Sequence, residues 1–356
     1  MFKKMKLSVL ATADLLGVSG LILNSSWRRQ KLLILCYHGI SLEDEHRWDP
    51  SLYMSPELLR ERFEYLKKVG CHLLPFGEAV RALYEGELPA KAVSITFDDG
   101  FFDFYRHALP IATEFHFPVT VYLTTYYSYY NRPVFDAALN YILWKGRGRE
   151  LQMPEALPAP VALNADTIRA VADQLYSQVT RLGYSGKEKD EFLQRLCRSL
   201  GVDFEEIRRK RILHLMTPSE VAEAAAGGAD VQLHTHRHRV SGKKQQFQQE
   251  IFENRGKIEQ LTHSQAKHFC YPSGFFMPEY PEWLRDAGVE SATTCIPGLA
   301  TASSSLFLLP RLLDSSTTTA SEFAGWVSGL AGLLPRRKFV MDDRSYLQDG
   351  PATPAN

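Results

Sequence analysis

The chain has 356 residues, enough for one elaborated α/β domain or two smaller ones. Its 41 Lys plus Arg balance 41 Asp plus Glu, so no net field draws it to nucleic acid, which is excluded as the expected partner, whereas a neutral glycan is admissible. Five dispersed cysteines, an odd number, exclude a disulfide framework and suit buried reduced thiols.

In chain order, residues 1–30 come first. Lys3, Lys4 and Lys6 precede an apolar stretch over residues 7–23 that Asp14 interrupts. A mid-membrane Asp costs about 2.5–3.5 kcal/mol, and the stretch is short of the roughly 20 residues a spanning helix needs. Ala11-Thr12-Ala13 comes too early for a cleavage site. The expectation is a helix packed on the domain or lying on a membrane as a peripheral contact. The location is then cytoplasmic or inner-membrane-associated, with export left open.

The main domain is expected over residues 31–335. An apolar run at 32–37 reads as a buried strand ending at His38-Gly39. Ser55 caps a helix with Pro56 at its first position, which Gly70 stops. A strand near Leu73, a helix at 76–84, a strand at 93–97 that breaks at Gly100, a helix at 105–115 and a β-branched strand at 118–124 follow. Residues 132–212 carry helical patterns with no strand between them and read as a helical insertion. Thr217-Pro218-Ser219-Glu220 is a capping box, after which 230–233 is strand, 247–261 helix, 269–271 strand, 281–287 helix, 307–309 a last strand and 323–333 a helix. Residues 336–356 form a C-terminal tail. Repeated βα units with short strands predict a parallel sheet, closed or nearly so, with its chemistry at the carboxyl ends of the strands.

Three segments stand at such ends: Thr96-Phe97-Asp98-Asp99-Gly100, His234-Thr235-His236-Arg237-His238 and Cys270-Tyr271-Pro272-Ser273-Gly274. Adjacent carboxylates at the end of a buried strand repel unless a cation compensates. A turn at Gly100 lets Asp99 face the cation and Asp98 the water beside it. His234 and His238, four apart, converge on one side while His236 points away. One carboxylate and two imidazoles make a three-ligand site with an open position, suited to Zn²⁺ and able to take Co²⁺, Fe²⁺ or Ni²⁺. Taken singly, an Asp-Asp-Gly is a turn and spaced histidines an exposed loop; their joint occurrence at strand ends points to the metal.

These residues resemble the polysaccharide deacetylase family, with its NodB-homology domain, also called carbohydrate esterase family four. The resemblance rests on residues 96–100 and on His234, Thr235 and His238, and it covers residues 32 to about 314 apart from the insertion. It implies a distorted (β/α)7-type barrel, Asp98 as general base, and Asp99, His234 and His238 as metal ligands. It also implies N-deacetylation of an amino-sugar polysaccharide or its precursor. The Tyr-Pro-x-Gly form at Tyr271, Pro272 and Gly274 is similar to the branch acting on bacterial exopolysaccharides, and the loop through Ser273 is the expected oxyanion and substrate-binding element. Two departures stand out. Cys270 occupies the place where the family commonly has an Arg, and no histidine follows His268 to supply the usual acid. Arg311 is the expected substitute for the first, taking over part of its charge work and counted with Asp98 and His38 among the catalytic residues. His38, at the end of the first strand, is either the substitute acid or a structural histidine. Tyr126, Tyr127, Tyr129 and Tyr130 either stack on sugar faces or pack under the insertion. The alternative functions are hydrolysis of a non-glycan amide on the same scaffold and glycan binding without catalysis.

Overall fold

Short strands run side by side in the computed structural model, which describes residues 2–334. They are β1 (Leu33–Tyr37), β2 (His72–Leu73), β3 (Ala92–Phe97), β4 (Val119–Leu123), β5 (Asp230–Leu233), β6 (His268–Cys270), β7 (Ser291–Thr293) and β8 (Leu312–Leu313). Their order is β7-β6-β5-β4-β3-β1-β8, with β2 on β3, and every pairing is parallel. Residues of β1, β3 and β4 are buried throughout, because helices cover one face and side chains fill the other; this is why the runs are largely apolar, with Ser94, Thr96 and Thr120 as their buried polar members.

The two edges of the sheet meet. Ala292 N–H donates to Leu306 O and Leu309 N–H to Ala292 O, Thr293 bridges Leu309, and three residues later Leu312 pairs with Leu35 of β1. Residues 306–313 thus join β7 to β1 as the seventh stave, after β1 and β3 to β7, and close the distorted barrel that the sequence predicts. The expected strand at 307–309 contributes only that bridge, and the paired strand lies at Leu312–Leu313. β7 was not anticipated, since Ser-Ala-Thr carries no apolar run; it is held by backbone pairing in a tight, fully buried position.

The predicted caps are present. Ser55 accepts from Leu58 N–H at the start of helix Pro56–Lys68, and Thr217 and Glu220 exchange both bonds of a capping box ahead of Pro218–Ala226. The expected helix at 105–115 begins as a π turn, Phe104–Ala108, before Leu109–Phe115. Pro110 has no N–H to give the Arg106 carbonyl, and the preceding turn widens accordingly.

The insertion builds its own core from Leu139, Ile142, Leu175, Phe192 and Leu196, on helices Phe135–Lys145, Ile168–Arg181 and Gly186–Leu200. It also contains an antiparallel pair, Glu150–Leu151 with Val161–Ala162, where helices alone were expected. Its exit returns to the barrel: Pro133 bridges His214, Phe101 bridges Leu215, and Met216 N–H donates to Gly100 O at 3.0 Å. The insertion is thereby fastened to the turn that carries the aspartates.

The N-terminal stretch forms helices Phe2–Leu15 and Val18–Leu23, broken at Gly17 in a left-handed conformation. Leu10 is buried against Gly325 of helix Ala320–Ser328. Arg28, fully buried, donates to Val327 O, Ala92 O and Lys31 O and ties the segment to the barrel. Leu15, Leu16 and Leu21 stay exposed, and among the described residues no helix is long and apolar enough to cross a membrane. The tail expected at 336–356 lies outside the described residues.

Candidate active site

The end of β3 forces the first two site residues apart. Asp98 N–H continues the ladder to Tyr37 O at 2.9 Å, and then Asp99 (φ 68°) and Gly100 (φ 82°) both turn left-handed. A Cβ on Gly100 would lie 2.3 Å from Leu123 Cδ1, so only glycine fits. Thr235, His238 and Ser273 share the left-handed conformation, each at a cost of about 1–3 kcal/mol that the surrounding contacts must offset. Left-handed non-glycine backbone therefore occurs at each of the three strand ends that the sequence singles out, as it also does at loop residues such as Lys91 and Asn131.

Asp99 Oδ1 lies 3.2 Å from His234 Nε2 and 3.3 Å from His238 Nε2. Two donors each about 2.0 Å from a zinc-sized ion, at a tetrahedral angle, are about 3.3 Å apart. Both carboxylate–imidazole distances have that spacing, all three donor atoms lie within 4.8 Å of one another, and these residues form a candidate metal site. His234 Nδ1 is hydrogen-bonded to Cys270 O at 2.8 Å, which fixes the ring and leaves the Nε2 lone pair facing Asp99. Buried Asn254 supports the same residue: its Oδ1 accepts from His234 N–H at 2.9 Å, while its Nδ2 donates to Leu123 O and Thr125 Oγ1. It ties the ends of β4 and β5 together. His236 points out of the tripod, as expected, against Thr125 Oγ1 at 2.8 Å.

Arg311 answers the missing arginine. It sits between the 306–309 segment and β8, fully buried, and grips Asp98 through two parallel bonds of 2.7 Å. Its other donors reach Thr294 O, Thr96 Oγ1 and the Cys270 sulfur. Burial alone would raise the Asp98 carboxyl, but the charge and paired bonds of Arg311, with His38 and His234 beyond, hold it well below the usual carboxylate range. Burial pushes the thiols of Cys36 and Cys270 well up, so they remain neutral and direct S–H groups at Asp98 Oδ2 from 3.5 and 3.4 Å. The cysteine in the family's arginine position makes room for a guanidinium that arrives from another strand. Being fully buried, Arg311 acts through Asp98 and is a positioning residue, where the sequence reading grouped it with the catalytic ones.

His38 ends β1 on the same rim, with Nε2 3.8 Å from Asp98 Oδ2. It lines a cleft that also exposes Asp99 and His238 and is walled by Tyr53, Thr124, Tyr127 and Asp136. Its Nδ1 is buried with no hydrogen-bond partner among the described residues.

The Tyr271 to Gly274 loop serves the site differently from the expectation. The Tyr271 ring is fully buried, stacks on Tyr280 and donates its hydroxyl to Phe307 O at 3.0 Å, so it is core and not a substrate contact. Pro272 is also buried, and Gly274 is required because a Cβ there would meet Cys295 at 2.8 Å. Tyr271 and Gly274 give their N–H groups to Thr293 O and Tyr271 O, and Pro272 has none. Ser273 is the one residue of the loop with an N–H to offer an oxyanion. The loop's observed contribution is the Cys270 carbonyl that holds His234. Sequence reasoning missed Asn254, whose only signal is a polar residue on the buried face of helix Lys244–Thr262.

The barrel, the three clustered donors and the clamped aspartate define a βα barrel with a candidate metal site at the carboxyl ends of its strands. Residues 185–292, which include His234 and His238 but not Asp98 and Asp99, match the family profile described as polysaccharide deacetylase. Over 99 residues, 28% of this chain, it is 30% identical to the poly-beta-1,6-N-acetyl-D-glucosamine N-deacetylase of Escherichia coli strain K12, and likewise to that of strain O157:H7. The match spans 14% of the length of these curated relatives. Among solved structures, the Streptococcus pyogenes deacetylase PplD in complex with acetate has a TM-score of 0.54 at 19% identity, covering 82% of this chain and 96% of that one. IcaB from Ammonifex degensii gives 0.53 at 18% identity, covering 84% and 97%. At these identities the structural likeness establishes the fold.

Proposed function

We propose that the protein is a metal-dependent hydrolase that removes N-acetyl groups from an N-acetylated amino-sugar polysaccharide or its precursor, of the exopolysaccharide or cell-surface kind. The carrying observation is the Asp99, His234 and His238 cluster, with both imidazole donors 3.2–3.3 Å from Asp99, beside an aspartate held ionised by Arg311. Two imidazoles and one carboxylate suit zinc best, with cobalt, iron or nickel as substitutes. A divalent ion bound there supplies Lewis acidity toward a water and the acetamide carbonyl.

The chain's own residues do the rest. Asp98, anionic at neutral pH, takes a proton from the attacking water. In this reading the Ser273 N–H donates to the developing oxyanion. As the carbon–oxygen bond forms and the carbon–nitrogen bond breaks, His38 gives a proton to the departing amine and regains one from Asp98 across the 3.8 Å gap. Acetate and a free amino sugar leave. Exposed Leu15, Leu16 and Leu21 support a peripheral membrane contact of the N-terminal helices as part of the same reading.

The test is acetate release from chitin oligomers and β-1,6-linked N-acetylglucosamine by the zinc-loaded protein. Turnover by the wild type, with Asp98→Asn inert but still loaded, is the expected result. A loaded protein that binds these glycans and releases nothing would move the reading to glycan binding without catalysis.

A further inference from the structure

A second cavity opens beside the metal cleft and shares Tyr127, Asp136, Tyr176, Arg237 and Arg239 with it. Its walls come from residues 126–130 on the barrel side and from insertion helices on the other. Part of the tyrosine run therefore does face open space, as one of the two sequence readings had it, and tyrosine faces suit the apolar faces of sugar rings.

The charges in this cavity are unevenly matched. Arg132 is neutralised by Asp190 at 3.0 Å, and Arg237 by Glu250 at 2.8 Å and Glu253 at 2.6 Å. Lys189, on helix Gly186–Leu200, and Arg239, following His238, line the same cavity from opposite walls. Among the described residues neither side chain makes an ion pair; Lys189 has only the Phe135 ring, 5.6 Å away. Partial burial lowers the Lys189 ammonium, the Arg239 charge lowers it further, and Asp136 offsets part of this. The cavity lining carries four cations, Arg132, Lys189, Arg237 and Arg239, against two carboxylates, Asp136 and Asp190, while Glu250 and Glu253 sit on Arg237 outside the lining, so the positive excess is local to half-buried Lys189 and Arg239 and is there for a ligand to neutralise.

We propose that this cavity seats an anionic group, a carboxylate or a phosphate, carried by the glycan next to the sugar that loses its acetyl group. This inference rests on the deacetylase reading for the direction of the chain, since the metal cleft would hold the acetamide and the tyrosine-walled cavity the neighbouring unit. Lys189 and Arg239 would share the anion, while Asp136, on the boundary of both spaces, accepts hydroxyl hydrogens from the sugar between them.

Calorimetry with the zinc-loaded Asp98→Asn protein reads binding without turnover. The probes are a neutral N-acetylglucosamine pentamer, an oligomer alternating glucuronate with N-acetylglucosamine, and an N-acetylglucosamine oligomer bearing 6-phosphate. At least one charged probe should bind tenfold or more tightly than the neutral one at low salt, the advantage shrinking as salt is raised; whichever charged probe it is separates carboxylate from phosphate. Lys189→Gln should abolish the advantage and leave the neutral pentamer unchanged, and Lys189→Arg should keep it. Equal binding of all three probes, or a Lys189→Gln loss of the same size for neutral and charged probes, overturns the inference. Anion-dependent binding with no acetate released from any probe by the wild type would instead overturn the deacetylase reading and leave the anion seat standing.

Discussion

Replacing Arg311 by Met removes the guanidinium bonded to the buried Asp98 carboxylate. Asp98 then loses two bonds of 2.7 Å, and Thr294 O and Thr96 Oγ1 lose a donor each. Breaking a buried pair by deleting one partner costs about 3–5 kcal/mol. The loss has a ceiling, because Asp98 can take up a proton: at pH 7, neutralising a carboxyl of ordinary pKa about 3.9 costs roughly 4 kcal/mol, at 1.36 kcal/mol per pH unit. In the wild type the Asp98 carboxyl is depressed, so its stabilising contribution is present above about pH 4 and is lost as pH falls through the folded value. In Arg311→Met burial dominates and the carboxyl is raised, so the defect is largest at neutral pH and shrinks toward pH 4. Urea denaturation at pH 4.5, 6 and 7.5 measures this directly, and adding Asp98→Asn to Arg311→Met should recover most of the stability at pH 7.5 because a neutral amide replaces the stranded charge. A defect under about 1 kcal/mol that does not change with pH would refute the claim that Arg311 exists to keep Asp98 ionised.

Asn254→Ala strands the His234 N–H and Leu123 O, which should cost about 1–3 kcal/mol and weaken zinc binding about 10- to 100-fold, read by competition with a chelator. Gly100→Ala places a methyl 2.3 Å from Leu123 Cδ1 at φ 82° and should lower both the melting temperature and metal occupancy; unchanged occupancy would mean the turn does not aim Asp99. Burial raises Asp314 to about 6, despite its 3.0 Å bond from Arg62 Nε, so its contribution is complete below about pH 4 and disappears as pH rises through 6. The stability of the wild type relative to Asp314→Asn should accordingly be about 2 kcal/mol more favourable at pH 4.5 than at pH 7.5, by urea denaturation at both.

Much of this site was readable because its ligands lie close in sequence to strand ends. Asp98 and Asp99 adjoin β3, and His234 and His238 occupy the turn leaving β5, so a buried strand followed by paired donors announces them. Arg311 was suggested by subtraction, from the cysteine at position 270, but its two-bond grip on Asp98 depends on the barrel closing through residues 306–313, a long-range event that no local pattern records. Asn254 stayed hidden for the same reason, as its three bonds go to residues 20 to 131 positions away. Tyr271 misled because a motif position was read as a contact, whereas its ring fills the core and the useful atom is the carbonyl before it. Short pairs such as Glu150–Leu151 with Val161–Ala162, and β7 with its Ser-Ala-Thr, escape pattern reading because two or three residues cannot display a period.

The most direct test is a zinc titration of chelator-stripped protein, following acetate release from an N-acetylglucosamine oligomer alongside bound metal. One ion per chain should restore turnover in the wild type, whereas His238→Ala should neither hold the ion at that concentration nor turn over. Stripped protein that works at the full rate, or His238→Ala that binds one ion as tightly as the wild type, would contradict an Asp99, His234 and His238 centre.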